Sequence, residues 1–426
     1  MTEPVLVTID KLGAQGDGIG EHAGLPIYVP GALPGEVVNA HIVDKKRGGF
    51  YTKLITVERP SPSRAQPICK HFGACGGCQL QHLNDDYYKQ WITDRASLAL
   101  SQHGFDEVRV LEPYFAPPGS RRRTSFKAHK GGSGLILGFN AKNSHQIVNI
   151  SECPITNEVI LQLIPELKAV LNKILPARMV ATIHCTLAAN GLDLLIEAQQ
   201  SLDLTARELL AEFADCDDVA SLHWQHDGFM DPVSIRREPV MEFAGVRVPL
   251  PPASFVQATA ECEKAMVRHV VEACDGYGRV ADLFCGLGTF TFPLASNHQV
   301  LAVEGAQGPL KSLEAGRNFS SAQGVKLKQI IAKHRDLFRR PLTAAELAGF
   351  EVAVIDPPRA GALAQMTELA KSSVQRIVSV SCNPNTFARD ARILVDGGYS
   401  VDSILPVDQF LWSNHLELVG VFTRSL

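Results

Sequence analysis

Arg376-Ile377-Val378-Ser379-Val380-Ser381-Cys382-Asn383-Pro384 reads as a strand with a hard stop. The β-branched residues at 377, 378 and 380 favour a buried strand. Asn383-Pro384 ends it, because proline has no ladder donor and restricts the residue before it. Residues 385–395 follow with helical spacing, and Gly397-Gly398 supplies a C-terminal cap. Such a unit puts Cys382 at the carboxyl edge of an open α/β sheet, where ligands bind. The start of the helix is expected to favour the thiolate. Cys382 is therefore a candidate nucleophile rather than a small core residue.

Working outward, Gly278 to Phe290 (GRVADLFCGLGTF) reads as a strand, a glycine turn and a helix start. The next strand, 299–303, ends at Glu304, about 20 residues beyond the glycine loop, where an acid bonds a ribose in nucleotide-binding sheets. The third glycine of the dinucleotide fingerprint is missing, and Asp282 on the first strand suits a cationic sulfonium cofactor better than a pyrophosphate. S-adenosylmethionine is thus favoured over NAD. Residues 326–331 read as a further strand, followed by Asp336, and 352–355 as another ending in Asp356-Pro357-Pro358-Arg359. Asp282, Glu304, Asp336, Asp356 and Cys382 are thereby expected along one sheet edge.

The 426 residues leave room for two or three domains, and 45% hydrophobic with 20% charged residues is ordinary for a globular chain. Met1-Thr-Glu-Pro has no basic flank leading into an apolar run, so no leader is expected. No stretch approaches the roughly 20 apolar residues that span a bilayer. A cytoplasmic location, with no membrane contact, follows as an expectation. Ten cysteines in this context point to metal or catalysis rather than disulfides. A net charge of −4 argues against a uniformly basic nucleic-acid binder and leaves room for a local patch.

Residues 1–60 read as short strands with glycine turns, a five-stranded barrel like an OB-fold. Lys45-Lys-Arg-Gly-Gly-Phe-Tyr51 sets positive charge beside rings that stack bases, or is a solvated hairpin tip. Cys69, Cys75 and Cys78 lie within ten residues among glycines and form a metal-ligand hook. Cys153, followed by proline, is the best fourth ligand. Zinc and an iron–sulfur cluster both accept four thiolates, and spacing does not choose between them. Cys185, Cys216, Cys262, Cys274 and Cys285 read as core residues. From Pro113 to Ser151 there is no acid, while Arg121, Arg122, Arg123, Lys127, Lys130 and Lys142 are basic. That one-sign run reads as a phosphate-contacting loop.

Taken together, these motifs resemble the RNA uracil-C5 methyltransferase family, in the branch that modifies 23S ribosomal RNA. The resemblance covers nearly the whole chain: barrel, cysteine hook, the Asp282–Phe290 loop, Asp356-Pro-Pro-Arg, Ser381-Cys-Asn-Pro384 and His415-Leu-Glu417. It implies a Rossmann-like α/β class I S-adenosylmethionine methyltransferase domain over 256–426. A TRAM barrel over 1–60 and a central α+β iron–sulfur domain over 61–255 would precede it. Cys69, Cys75, Cys78 and Cys153 would hold a [4Fe–4S] cluster. Gln257, Phe284, Thr289, Glu304, Asp336 and Asp356 would line the cofactor and base site. Cys382 would be the nucleophile and Glu417 the base, acting on a uridine flipped out of ribosomal RNA by a monomeric protein.

Three departures from the family pattern are visible: Ala258-Thr259 after Gln257, Thr289 in place of Asn, and Leu411-Trp412-Ser413 before His415. They are expected around the base, where they bear on the target uridine. The alternatives are the same chemistry on a transfer-RNA uridine, a 5-methylcytosine or amino-group methyltransferase, and an RNA-binding iron–sulfur redox sensor.

Overall fold

The computed structural model describes residues 4–105, 107–132 and 134–424. Met1–Glu3, on which the leader expectation partly rests, lie outside them. Val5–Leu12, Asp17–His22, Leu25–Pro30, Val37–Lys46 and Gly49–Arg59 close into a five-stranded barrel. Alternation drives the closure: Val7, Ile9, Ile27, Val29, Val38 and Ala40 fill the interior, and a closed sheet has no edge to aggregate. Gly49 is forced by the parallel pairing of Leu25–Pro30 with Gly49–Arg59. Its φ is +134°, and a Cβ there would lie 2.1 Å from the Pro26 carbonyl oxygen.

The second unit is a seven-stranded sheet running Phe229–Ile235, Val219–His226, Gly191–Glu197, Val180–Ala188, Arg123–Gly131, Gly134–Asn140, Ile147–Asn149. Here the structure corrects an expectation. The basic stretch expected as a loop is largely strand, because Thr124, Phe126 and Ala128 point into the core while Ser125, Lys127 and His129 point away.

The third unit is an eight-stranded sheet, ordered Ile330–His334, Gln299–Glu304, Arg279–Leu283, Val352–Ile355, Arg376–Ser381, Glu417–Arg424, Tyr399–Asp408, Tyr114–Phe115. The first five strands are parallel, and Glu417–Arg424 runs antiparallel between its neighbours. Ala281, Leu283, Ala353, Ile355 and Ile377 face one apolar layer; Val280, Val352, Val354, Val378 and Val380 face the other. Both faces are covered, as the near-continuous apolar strands require. The strand expected at 326–331 instead begins at Ile330, where pairing with Val300 starts.

Two elements from earlier in the chain also pack on this sheet. The helix Asp85–Ser101 buries Tyr88, Trp91, Ile92 and Leu100 in the core beneath this third sheet, and Tyr114–Phe115 adds a strand to it. Among the described residues no helix is long and apolar enough to cross a membrane.

Candidate active site and cysteine cavity

The parallel strands end at one edge, and the chain order reverses between Arg279–Leu283 and Val352–Ile355, which opens a crevice there. Cys382 directly follows the strand Arg376–Ser381; Asn383 caps the helix Pro384–Asp396, its side chain accepting the Asn385 N–H at 3.1 Å. Because Glu417–Arg424 runs the opposite way, with Leu418 opposite Ser381, its first residue arrives at the same edge. Glu417 is buried, and burial, then the nearby Asp356, pushes its carboxyl up to about 8. Burial also pushes Asp356 up to about 7.

The thiol departs from expectation. Burial first, then Glu417 and Asp356, push Cys382 up to about 11, against an opposing pull from Arg359. One helix end does not outweigh a partly enclosed site with two carboxyls. Cys382 lines a cavity of about 250 Å³ with Arg359, His415, Asn414, Arg95 and Gln15, the last from the barrel. Gln15 accepts a hydrogen bond from the Asn414 side chain at 2.6 Å, so the barrel forms part of the cavity wall.

Behind Cys382 runs a buried chain of side chains. Gln257 Nε2 donates to Asp356 Oδ2 at 3.3 Å. Gln409 Nε2 donates to Gln257 Oε1 at 2.9 Å and to Glu417 Oε1 at 2.7 Å, while Gln409 Oε1 accepts the Ala258 N–H at 2.8 Å. Sequence reasoning missed Gln409 altogether. It also missed Tyr88, whose hydroxyl donates to the buried Asp408 at 2.5 Å and accepts the Trp412 N–H at 2.8 Å. Neither is signalled locally, since the partners lie far apart in sequence, Tyr88 and Asp408 by 320 residues and Gln257 and Gln409 by 152.

On the other side of the crevice, Glu304 is fixed by two backbone donors, Gly286 N–H at 2.9 Å and Ala306 N–H at 2.7 Å. Gly286 has φ +55° and nothing within 4 Å of where a Cβ would stand, an open space beside that carboxylate. Phe284, at φ +60°, sets its ring 5.2 Å from Phe338, and Asp336 Oδ1 accepts the Phe338 N–H at 3.0 Å. Thr289 is half-buried in the same turn. Asp282 stands at the edge but is enclosed: it accepts the Thr291 hydroxyl, and burial pushes it up to about 7. It braces the turn from behind, which removes the argument that it faces a cation.

Cys69, Cys75, Cys78 and Cys153 come together around one cavity of about 270 Å³. The Gly77 N–H donates to Cys75 Sγ at 3.4 Å and the Thr156 hydroxyl to Cys153 Sγ at 3.2 Å. Among the described residues no three such donors stand close enough to share a single ion. Of the other cysteines, Cys185, Cys262, Cys274 and Cys285 are buried and Cys216 is half-buried.

The arginine run divides by direction. Arg122 is buried, with its guanidinium on Glu263 at 2.6 Å and on the Gln257 carbonyl at 3.0 Å, so it braces the site and is withdrawn from any phosphate role. A strand that points Thr124, Phe126 and Ala128 inward points Arg122 inward too. Arg121 lines the cysteine cavity and lies 5.4 Å from the Phe410 ring; Arg123 lies 4.5 Å from that of Phe255. Lys142 pairs with Asp17 of the barrel at 2.8 Å. Two departures from the family pattern find structural explanations. Thr259 caps the helix Ala260–Ala273, accepting the Cys262 N–H at 3.3 Å. Trp412, at φ +59°, offers its carbonyl to the Gln79 and Leu80 N–H groups, so this segment docks on the cysteine hook rather than lining the Cys382 cavity.

A family model described as tRNA (uracil-5-)-methyltransferase matches residues 246–425, and a TRAM domain model matches residues 3–51. An uncharacterized RNA methyltransferase of Caulobacter vibrioides is 44% identical over 98% of this chain and 99% of its own length. A Photorhabdus laumondii protein, 23S rRNA (uracil(1939)-C(5))-methyltransferase RlmD, is 32% identical over 99% of this chain and 96% of its own. The Pyrococcus abyssi tRNA (uracil-54, C5)-methyltransferase, solved with S-adenosyl-L-homocysteine, shares the fold with a TM-score of 0.77 at 23% identity, covering 98% and 99% of the two chains. With its TRAM barrel, its sheet order and these full-length relatives, the chain belongs to the RNA uracil-C5 methyltransferase family.

Proposed function

We propose that this enzyme methylates C5 of a uridine in 23S ribosomal RNA through a covalent adduct on Cys382, with Glu417 as the base. The observation that carries the mechanism is the meeting of Cys382 and the buried Glu417 at one sheet edge, within electrostatic reach of each other. S-adenosylmethionine, when bound, supplies an electrophilic methyl group. Glu304, held by Gly286 and Ala306, has lone pairs left for ribose hydroxyls, and Phe284, Phe338, Asp336 and Thr289 would frame the adenine end. Gln257 and Asp356 stand between that crevice and Cys382.

C5 of uracil is a weak nucleophile. The Cys382 thiolate adds to C6, and the C4–C5–C6 system becomes an enolate with its electron pair at C5. After C5 has gained the methyl, Glu417 removes the C5 proton, the C5–C6 double bond re-forms and the thiolate leaves. A carboxyl pushed up to about 8 is a stronger base than an exposed one. Arg359 stabilises the thiolate that both steps require.

The four thiols would hold a [4Fe–4S] cluster. What supports this reading is that all four thiols line one cavity. A cluster there would cross-link the hook at 69–78 to the loop at Cys153. The functional division would be an RNA-gripping barrel over 1–60, a cluster-bearing segment over 61–255 and a catalytic domain over 256–426. On the barrel, the stacked Tyr28 and Tyr51, with Lys46 5.2 Å from the Tyr51 ring, provide a surface for bases and phosphates. The enzyme would act as a monomer in the cytoplasm.

Ribosomal RNA is favoured over transfer RNA because the RlmD relative is similar over its whole length at 32% identity. Mapping 5-methyluridine in RNA from cells lacking this protein tests the target. Loss at one 23S position is expected; loss only from transfer RNA would reassign it.

A further inference from the structure

The buried chain behind Cys382 has a fixed direction. The Ala258 backbone N–H can only donate, so the Gln409 atom facing it at 2.8 Å is the carbonyl oxygen. The other end of Gln409 is then its amide nitrogen, which gives its two hydrogens to Gln257 Oε1 and Glu417 Oε1. Gln257, having spent its oxygen, turns its amide nitrogen toward Asp356 Oδ2. One backbone donor therefore sets the orientation of two side-chain amides, Gln409 and Gln257. The backbone is itself anchored: Arg122 donates to the Gln257 carbonyl at 3.0 Å and its own N–H to the Ala258 carbonyl at 2.9 Å.

We propose that Gln409 is a positioning residue that seats the base Glu417 and fixes Gln257 with its amide nitrogen, rather than its oxygen, turned to Asp356. Resting on the covalent uracil mechanism above, this role deepens it in two ways. A Glu417 oxygen held by Gln409 keeps the carboxylate in one rotamer, leaving the other oxygen for the C5 proton. A Gln257 donor beside an Asp356 acceptor matches a base with a carbonyl next to a ring N–H, as uracil has, and mismatches cytosine, where both polarities are reversed. Gln409 touches neither substrate nor cofactor in this scheme; it acts through its two partners.

The experiment uses the full-length protein with its cysteines intact, assayed on total RNA from cells lacking it, with 5-methyluridine as the readout. Gln409→Met removes both donated hydrogen bonds at similar volume. Gln409→Glu is nearly isosteric, keeps the acceptor for Ala258 and loses the donors. For Gln409→Met, kcat is expected to fall about 10- to 100-fold with KM for S-adenosylmethionine unchanged, as loss of one oriented group in proton transfer would give. Its acid limb should also move to higher pH, because Glu417 loses a donor that favours its charged form. Gln409→Glu, which sets a second carboxyl against Glu417, should be slower still. A wild-type kcat and an unmoved acid limb in both variants would overturn the proposal, as would losses that merely track lower thermal stability. If the wild-type protein formed no 5-methyluridine while binding RNA, the functional reading itself would fall, and this role with it.

Discussion

The sheet edge around Cys382 and the cavity around Cys78 both gather groups whose protonation burial has disturbed, yet they are built differently. At the edge the polar groups bond one another: Asp356, Gln257, Gln409 and Glu417 form a continuous chain. In the cavity Cys78 is pushed up to about 12 by burial first, and none of the four thiols is hydrogen-bonded to another. The first arrangement is complete by itself and ready for chemistry. The second has its donors turned toward a shared space, which suits a bound group rather than a reaction. Arg121 lies between them, lining the cavity while its guanidinium faces Phe410, the residue after Gln409.

That contrast can be broken from either side. Cys382→Ala should abolish 5-methyluridine formation, by on the order of 10⁴-fold or more as for other covalent nucleophiles, with folding unchanged. Glu417→Gln should slow turnover by about 10²- to 10⁴-fold and, unlike Cys382→Ala, accumulate a protein–RNA adduct, because addition proceeds and elimination does not. The adduct would be read on a denaturing gel. On the other side, Cys78→Ser should remove the visible absorbance of an iron–sulfur cluster and lower thermal stability, with a smaller loss of methyl transfer in the protein that stays folded. A colourless wild-type protein purified without oxygen would dissolve the contrast.

Arg122→Ala sharpens it through stability. Removing one partner of a buried ion pair costs about 3–5 kcal/mol, here leaving Glu263 alone. Lys46→Ala on the exposed barrel should leave folding intact and lower the salt dependence of RNA binding by about one contact.

Stability and activity should also move in opposite directions with pH. Asp282, Asp356, Asp408 and Glu417 all hold their protons more tightly folded than unfolded, at about 7, 7, 7 and 8. The folded state binds more protons, so this contribution is full below the ordinary carboxylate range and is lost as pH rises through about 7–8. In the proposed mechanism methyl transfer needs Glu417 and Cys382 deprotonated, and it should rise over the same interval. A melting series beside an activity series, from pH 6 to about 9, checks both signs.

Much of the edge was legible because punctuation reveals strand ends. Asn383-Pro384, Asp356-Pro357 and the Gly286–Gly288 turn each mark where a strand stops and a side chain is presented. That Cys69, Cys75 and Cys78 gather at one place was legible from their spacing. Gln409 was not, since its partner Gln257 is 152 residues away and only the fold brings them together. Arg122 was misread because charge was counted without the alternation of Thr124, Phe126 and Ala128, which turns it inward to Glu263. The thiol of Cys382 was misjudged for a related reason: a helix start is visible in the sequence, but the enclosing carboxyls are not.

The central claim is a bond between Cys382 and C6 of a uracil. RNA transcribed with 5-fluorouridine has no C5 proton for Glu417 to remove, so the adduct should persist once the methyl has been transferred. Incubation with S-adenosylmethionine, followed by nuclease and protease digestion and mass spectrometry, should recover a methylated fluorouridine nucleotide on the peptide containing Cys382. Recovery on another residue, or no adduct from a protein that methylates ordinary RNA, would contradict the account.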